Sequence, residues 1–364
     1  MQVTKQMLGN QTRKKLLYLD QNLFSAAAKA KRHAWVDEVL KHITELLDLQ
    51  LLAIPYSSTH IAEADLFKER DALVSFIQKF SRGHYFEPYY KVEGTQTSKA
   101  FQAFLAGQGE GYVKEERDVI SPSVHDWDGQ YAVTVFTPES GYQRKLSFKQ
   151  RSVEALVATL DGWRRSSKSF EEDMELEFTD GARIWVDEYA KKTARLYAGD
   201  FSALIDSPIS AEIVETFVYI AKEMKIDPKA IGEFFTSQHY RSIPSQQLSA
   251  RLYATFKQRL RCNADKLPTS EAEREEKYSG LTFDVQHAAT YAPYCDAYFT
   301  DRAMANLMED KRVGVEAMYG CKVFSSSKVS QFKDWCADLK SSMSPQHAED
   351  LTWAYERYRK NLPG

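Results

Sequence analysis

Four acidic residues stand where short apolar runs end or where helices begin. Asp20 follows the run Lys15-Leu-Leu-Tyr-Leu19, and Asp301 follows Tyr298-Phe-Thr300. Glu63 lies early in a helix announced by the hydroxyls of Ser57, Ser58 and Thr59, and Asp284 opens an Ala-rich helix. Carboxylates brought together from distant parts of a chain repel one another and raise one another's pKa values unless a cation sits between them. Hard oxygen donors of this kind suit Mg²⁺ or Mn²⁺, which keep several waters and bind substrate phosphates. Such a site activates water, polarises a phosphoryl oxygen and stabilises the leaving oxyanion, so the natural reaction is phosphodiester hydrolysis. Taken singly, an Asp after a strand or at a helix start is more often a cap or turn residue. The signal is the set of four. His60 and His287 each lie one helical turn from a proposed ligand, at i−3 to Glu63 and i+3 to Asp284, the spacing at which helix neighbours meet. Either can serve as a phosphate contact, an acid–base group or a hydrogen-bonded structural histidine.

These acids need elements that aim them at one place. Lys15–Leu19 reads as a buried strand, as does the run Leu51–Ile54 closed by Pro55. Between them Val36, Val39, Leu40, Ile43, Leu46 and Leu47 recur at helical spacing, which predicts an amphipathic helix over about 33–48. The hydroxyls of Ser57, Ser58 and Thr59 suit the N-cap of a second helix, which carries Ile61, Leu66, Leu73, Val74 and Ile77 on one side. The rhythm returns late in the chain, with strands at Tyr298–Thr300 and Lys322–Phe324, helices at 302–310 and 329–339, and a last helix started by Ser344-Pro345. Strands separated by helices imply a parallel sheet with helices on both faces. In such a sheet the carboxyl ends of the strands face one crevice, where acids distant in sequence converge. From about 81 to 280 the chain reads as mostly helical, over 150–165, 181–197, 211–225 and 245–262, with Asp227-Pro228 and Ile243-Pro244 at helix starts. A hairpin is expected from Tyr131–Phe136 and Lys145–Phe148. The fold class is therefore α/β: residues 1–80 and 281–343 form one domain, 81–280 a large, mostly helical insertion, and 344–364 a C-terminal helix.

Composition bounds the alternatives. At 364 residues the chain has about two domains' worth of length and needs no staples. Its 43% hydrophobic and 27% charged residues exclude a disordered, collagen-like or membrane-embedded chain. A net charge of −3 gives no whole-molecule field to attract nucleic acid, so any such site is local. The four cysteines are scattered without a Cys-x-x-Cys pair, which argues against a zinc ribbon or a disulfide scaffold and for a reducing, cytoplasmic setting. No run reaches the length of a membrane span or a signal peptide. The phosphate-binding Gly-x-x-x-x-Gly-Lys-Ser/Thr loop, the dinucleotide Gly-x-Gly-x-x-Gly, the zincin His-Glu-x-x-His and the hydrolase Gly-x-Ser-x-Gly are all missing. A haloacid-dehalogenase-type phosphatase also starts with an Asp after strand one, but its second Asp is replaced here by Asn22.

The local wording adds a resemblance. Leu17-Tyr-Leu-Asp-Gln-Asn22, Tyr56-Ser-Ser-Thr-His-Ile-Ala-Glu63, Phe283-Asp-Val-Gln-His-Ala-Ala289 and Tyr294-Cys-Asp-Ala-Tyr-Phe-Thr-Asp301 together resemble the PIN-like nuclease family. The resemblance covers about 150 residues at the two ends of the chain and rests on the order of the motifs. It implies a PIN-like sheet and a metal-dependent endoribonuclease in which Asp20, Glu63, Asp284 and Asp301 hold Mg²⁺ or Mn²⁺. Asp296, a fifth acid near the same strand, would replace or support Asp301. By the same resemblance Asn22 orients the Asp20 loop, and Ser57 or Thr59 contacts the site. Glu63 and Asp284 lie 221 positions apart, far more than in compact members of the family, so the insertion bears on substrate choice.

Arg251, Lys257, Arg259 and Arg261, interleaved with Tyr253 and Phe256, suit a single-stranded backbone with stacked bases and equally suit a solvated face with snorkelling side chains. Arg164, Arg165 and Lys168 make a weaker basic cluster. The expected partner is RNA, with the insertion available to a protein partner. The rival readings are a non-catalytic nucleic-acid or protein binding module, and a phosphoesterase acting on a small molecule.

Overall fold

The structure is a computed structural model that describes residues 13–360 apart from 30, 66, 68, 128–141 and 263–265. Four parallel strands form the sheet, β1 (Lys15–Leu19), β2 (Leu52–Ala53), β3 (Ala297–Phe299) and β4 (Lys322–Phe324), in the order β2-β1-β3-β4. Between β1 and β2 run α1 (Gln21–Ala28) and α2 (Ala34–Asp48). After β2 come α3 (Ser58–Ala64), α4 (Arg70–Ser81), α5 (Tyr89–Leu105), α6 (Tyr142–Arg165), α7 (Phe170–Tyr197), α8 (Ala203–Asp206), α9 (Ile209–Glu223), α10 (Lys229–Thr236), α11 (Gln238–Arg241), α12 (Pro244–Arg261), α13 (Glu271–Tyr278) and α14 (Leu281–Tyr291). The chain then returns to the sheet with β3, α15 (Arg302–Met308), α16 (Val315–Tyr319), β4, α17 (Val329–Ser341) and α18 (Pro345–Lys360). Among the described residues no helix is long and apolar enough to cross a membrane.

β1 shows why a short apolar run makes a central strand. Side chains alternate across a strand, and Leu17 and Leu19 enter a core beneath α1, α2, α4 and α17, whereas Leu16 and Tyr18 enter a second core on the opposite face. That second core draws its lining from α14 and α15 and also from α6 and α12, in Val153, Leu156, Leu248 and Leu252. The helical segment is thus packed against the sheet layer. A third core, between α5, α7, α9, α10 and α12, belongs to the helical segment alone.

Several expectations need adjustment. The helix predicted to run from Ser58 through Ile77 is two helices, α3 and α4. Lys145–Phe148 is not a strand but part of α6, and the proposed partner strand, Tyr131–Phe136, lies outside the described residues. Asp284 lies in the first turn of its helix, α14, which starts three residues earlier at Leu281.

Candidate active site at the carboxyl edge of the sheet

The chain goes from β1 to β2 on one side and later returns to β3 on the other, so the sheet reverses its winding between β1 and β3. Crevices at such switch points, outside the carboxyl ends of the strands, are where open α/β sheets bind ligands. Asp20 and Asp301 stand at this edge. The β1–β3 register aligns Leu19 with Phe299, and Asp20 N–H continues the ladder to the Phe299 carbonyl at 2.9 Å. Asp20 Oδ1 accepts the Gln21 N–H at 2.7 Å and caps α1, and Oδ2 accepts the Thr300 hydroxyl at 3.0 Å. Asp301 caps α15, its Oδ1 accepting the N–H groups of Ala303 at 2.6 Å and Met304 at 3.0 Å. Both acids therefore act as caps, and the crevice lies where they do so.

Burial pushes the Asp20 carboxyl up to about 6; the Thr300 hydroxyl lowers it and the Asp301 charge raises it. Its hydrogen-bond partners are neutral donors. Glu63 lies on α3 and Asp284 on α14. The Tyr18 and Tyr298 rings stack at 4.5 Å between centroids. Burial is the main cause that raises both phenols, and Tyr18 also feels Asp20 and Glu63 while Tyr298 feels Asp20 and Asp284. Three carboxylates thus raise the phenols of one ring pair. The Asp284 carboxylate folds back over Gly280, so that a Cβ added there would meet Oδ2 at 2.9 Å. Tyr253 of α12 is pushed up to about 12, first by burial and then by the charges of Glu177 and Asp284.

Hard oxygens and an elevated, neutrally partnered carboxyl fit a divalent cation in kind. As placed, the donors do not close on one point: among the described residues no three His, Cys, Asp or Glu side chains are near enough to hold a metal ion together.

Asp296 does not belong to the group. It precedes β3, so it lies at the opposite end of the sheet, where its carboxylate accepts Leu16 N–H at 2.8 Å and pairs with Lys15 Nζ at 2.8 Å. Five residues of extended chain, at roughly 3.3 Å each, separate it from Asp301. Asn22 is exposed on the first turn of α1; Gln21 N–H and the Thr300 hydroxyl, not Asn22, hold the Asp20 carboxylate. Thr59 is half-buried at the start of α3, and Ser57 is wholly buried as its cap. His60 and His287 are 1% and 5% exposed, which removes them from contact with a substrate phosphate.

The basic row of α12 is spent inside the protein. Arg261 clamps Asp173 of α7 with two bonds of 2.6 and 2.9 Å, and Lys257 pairs with Glu177 while lying 4.7 Å over the Trp163 ring. Arg251 donates to the Arg312 carbonyl at 2.8 Å and Arg259 to the Asn306 carbonyl at 3.0 Å. This corrects the expectation of a nucleic-acid strip: the cations tie α12 to α7 and to the segment after β3.

Tyr298, Thr300 and Gly280 were not singled out from the sequence. Thr300 carried a usable signal, because a hydroxyl opposite Asp20 follows once the two strands are set in parallel register. Compared with known families and proteins, the chain matches no family model, no curated protein and no solved structure.

Proposed function

We propose that the crevice at the carboxyl edge of the sheet is a metal-dependent phosphodiesterase site. The observation that carries this reading is Asp20, a carboxyl raised to about 6 beside Asp301 at the β1–β3 switch point, with only neutral hydrogen-bond partners. Asp20 and Asp284 would be the central ligands of Mg²⁺ or Mn²⁺, and Glu63 and Asp301 the flanking ones. When bound, the ion would supply charge neutralisation and Lewis acidity. Thr300 and the Gln21 amide fix the two oxygens of Asp20, and the α15 cap restrains Asp301. Water is the nucleophile, and the acids form no covalent bond to the substrate. RNA is the proposed substrate because the four motifs resemble the PIN-like nucleases. The internal pairing of the α12 cations favours, as a second reading, a compact phosphoester or a module that binds without turnover.

A fluorescent RNA incubated with Mn²⁺, and then with chelator, tests the proposal, with a chromogenic phosphomonoester run in parallel. Cleavage of RNA that stops on chelation is expected, and is expected to be abolished in Asp20→Asn and Asp284→Asn. Unchanged cleavage in either purified variant counts against the site. Turnover of the monoester alone, or binding without products, transfers the conclusion to the second reading.

A further inference from the structure

Beneath the acidic crevice, four buried polar side chains touch in sequence. The imidazole of His287 meets the Tyr18 hydroxyl, with Nδ1 to Oη at 3.4 Å. The Tyr18 ring packs on the His60 ring at 5.2 Å between centroids. Ser57 N–H donates to His60 Nδ1 at 2.9 Å, the Ser57 hydroxyl lies 3.3 Å from the same nitrogen, and the His60 backbone N–H donates to the Ser57 carbonyl at 3.1 Å. Their exposures are 5% for His287, 0% for Tyr18 and Ser57, and 1% for His60.

The direction of the bonds is internally consistent. Because Ser57 N–H donates to His60 Nδ1, that ring carries its proton on Nε2, which faces the Leu19 carbonyl without reaching hydrogen-bond geometry. The same Nδ1 is then the acceptor for the Ser57 hydroxyl, 3.3 Å away, and the Tyr18 hydroxyl pairs with His287 Nδ1. Burial holds both imidazoles neutral at physiological pH, at about 3 for His60 and about 4 for His287.

Three of the four lie within three residues of one of the acids. His287 is three residues after Asp284 on α14, Tyr18 two residues before Asp20 on β1, and His60 three residues before Glu63 on α3. The Tyr18 ring cannot swing, since it is stacked at 4.5 Å on Tyr298, 5.5 Å on Tyr291 and 6.0 Å on Phe86. Phenylalanine would fill the same stack without burying a hydroxyl, so what the hydroxyl adds is its contact with His287.

We propose that His287, Tyr18, Ser57 and His60 are positioning residues, a buried chain that ties α14 and α3 to β1 and so sets the separation of Asp284, Asp20 and Glu63. The proposal rests on the metal-site reading for its purpose, but the coupling of the helices is measurable without any metal.

The test compares Tyr18→Phe with the wild type by hydrogen exchange and by direct titration with Mn²⁺. Exchange is expected to rise in α3 and α14 together, and Mn²⁺ affinity to fall by about 10- to 100-fold, as for partners that orient metal ligands. Ser57→Ala should repeat both effects and Ser57→Thr, which keeps the hydroxyl, should restore them. A Tyr18→Phe protein with unaltered exchange in either helix overturns the proposal, as does one that merely melts earlier while exchange in both helices and Mn²⁺ binding stay as in the wild type. If the wild type takes up no Mn²⁺ but exchange still rises in both helices, the coupling stands and the metal-site reading fails.

Discussion

Thr300 lies directly across the β1–β3 pair from Asp20, and its hydroxyl donates to Asp20 Oδ2 at 3.0 Å. A donor to the ionised form holds a carboxyl down, so Thr300 restrains a group that burial and Asp301 push the other way. Thr300→Val removes the donor at nearly constant shape. The Asp20 carboxyl should then titrate above about 6, read by carboxyl-carbon NMR, and the acid limb of any pH–rate profile should move up with it. A titration that stays in place would refute the assigned role.

Asp20 also costs stability at neutral pH. Its folded pKa of about 6 exceeds the ordinary 3.8, so the folded state holds the extra proton between these values and loses relative stability as pH rises through that window. The difference corresponds to about 3 kcal/mol above pH 6. Asp20→Asn is expected to raise the melting temperature at pH 7.5 and to have little effect at pH 4, as followed by calorimetry. Equal effects at both pH values would rule out this origin.

The two buried histidines act in the opposite sense. Their folded pKa values lie near 3 and 4, below the usual 6.5, so the unfolded state takes up protons first as pH falls. Each contributes a loss of about 1.4 kcal/mol per pH unit on acidification from 6.5 towards 4, and Asp20 offsets one of them below about 6. His287→Asn keeps an acceptor near the Nδ1 position and should flatten the acid limb of stability measured by urea unfolding. An unchanged slope would mean that His287 is not buried as a neutral ring.

Gly280 offers a way to move Asp284 with little disturbance of the fold. Its backbone is right-handed helical, so alanine is tolerated locally, yet the new Cβ would crowd Oδ2 at 2.9 Å and the flexible carboxylate must yield. Gly280→Ala should leave the unfolding free energy within about 1 kcal/mol of the wild type while weakening Mn²⁺ uptake. Wild-type uptake would show that the Asp284 placement is immaterial.

Arg261 discriminates a structural cation from a ligand-binding one. Arg261→Met leaves Asp173, 1% exposed, without its clamp and should cost about 3 to 5 kcal/mol. Combining it with Asp173→Leu should recover most of that loss in denaturant unfolding, with RNA binding unaffected throughout. Weakened RNA binding in the stable double variant would restore Arg261 to an interface.

The acids at the ends of β1 and β3 were legible because a short apolar run followed by Asp fixes both a strand and its carboxyl end. The parallel sheet followed from the alternation of strands and helices. Asp296 was misjudged although the information was present, since an acid before a short strand lies at the opposite edge from one after it. The basic row of α12 was not decidable from the sequence: periodicity shows that Arg261 and Lys257 recur on a helix, but their partners Asp173 and Glu177 lie 88 and 80 residues away. The split between α3 and α4 escaped because apolar residues recur on both sides of it with no proline or glycine between them.

The pairing of Leu17 with Ala297 has a consequence for synthesis. A nascent chain leaving the ribosome at about 5 to 20 residues per second must wait roughly 15 to 55 s between the emergence of the two strands. During that interval β1 has only β2 as a neighbour, and the face bearing Leu16 and Tyr18 awaits helices not yet translated. Chaperone holding of the first 80 residues is therefore most needed in this protein before its last quarter has been made.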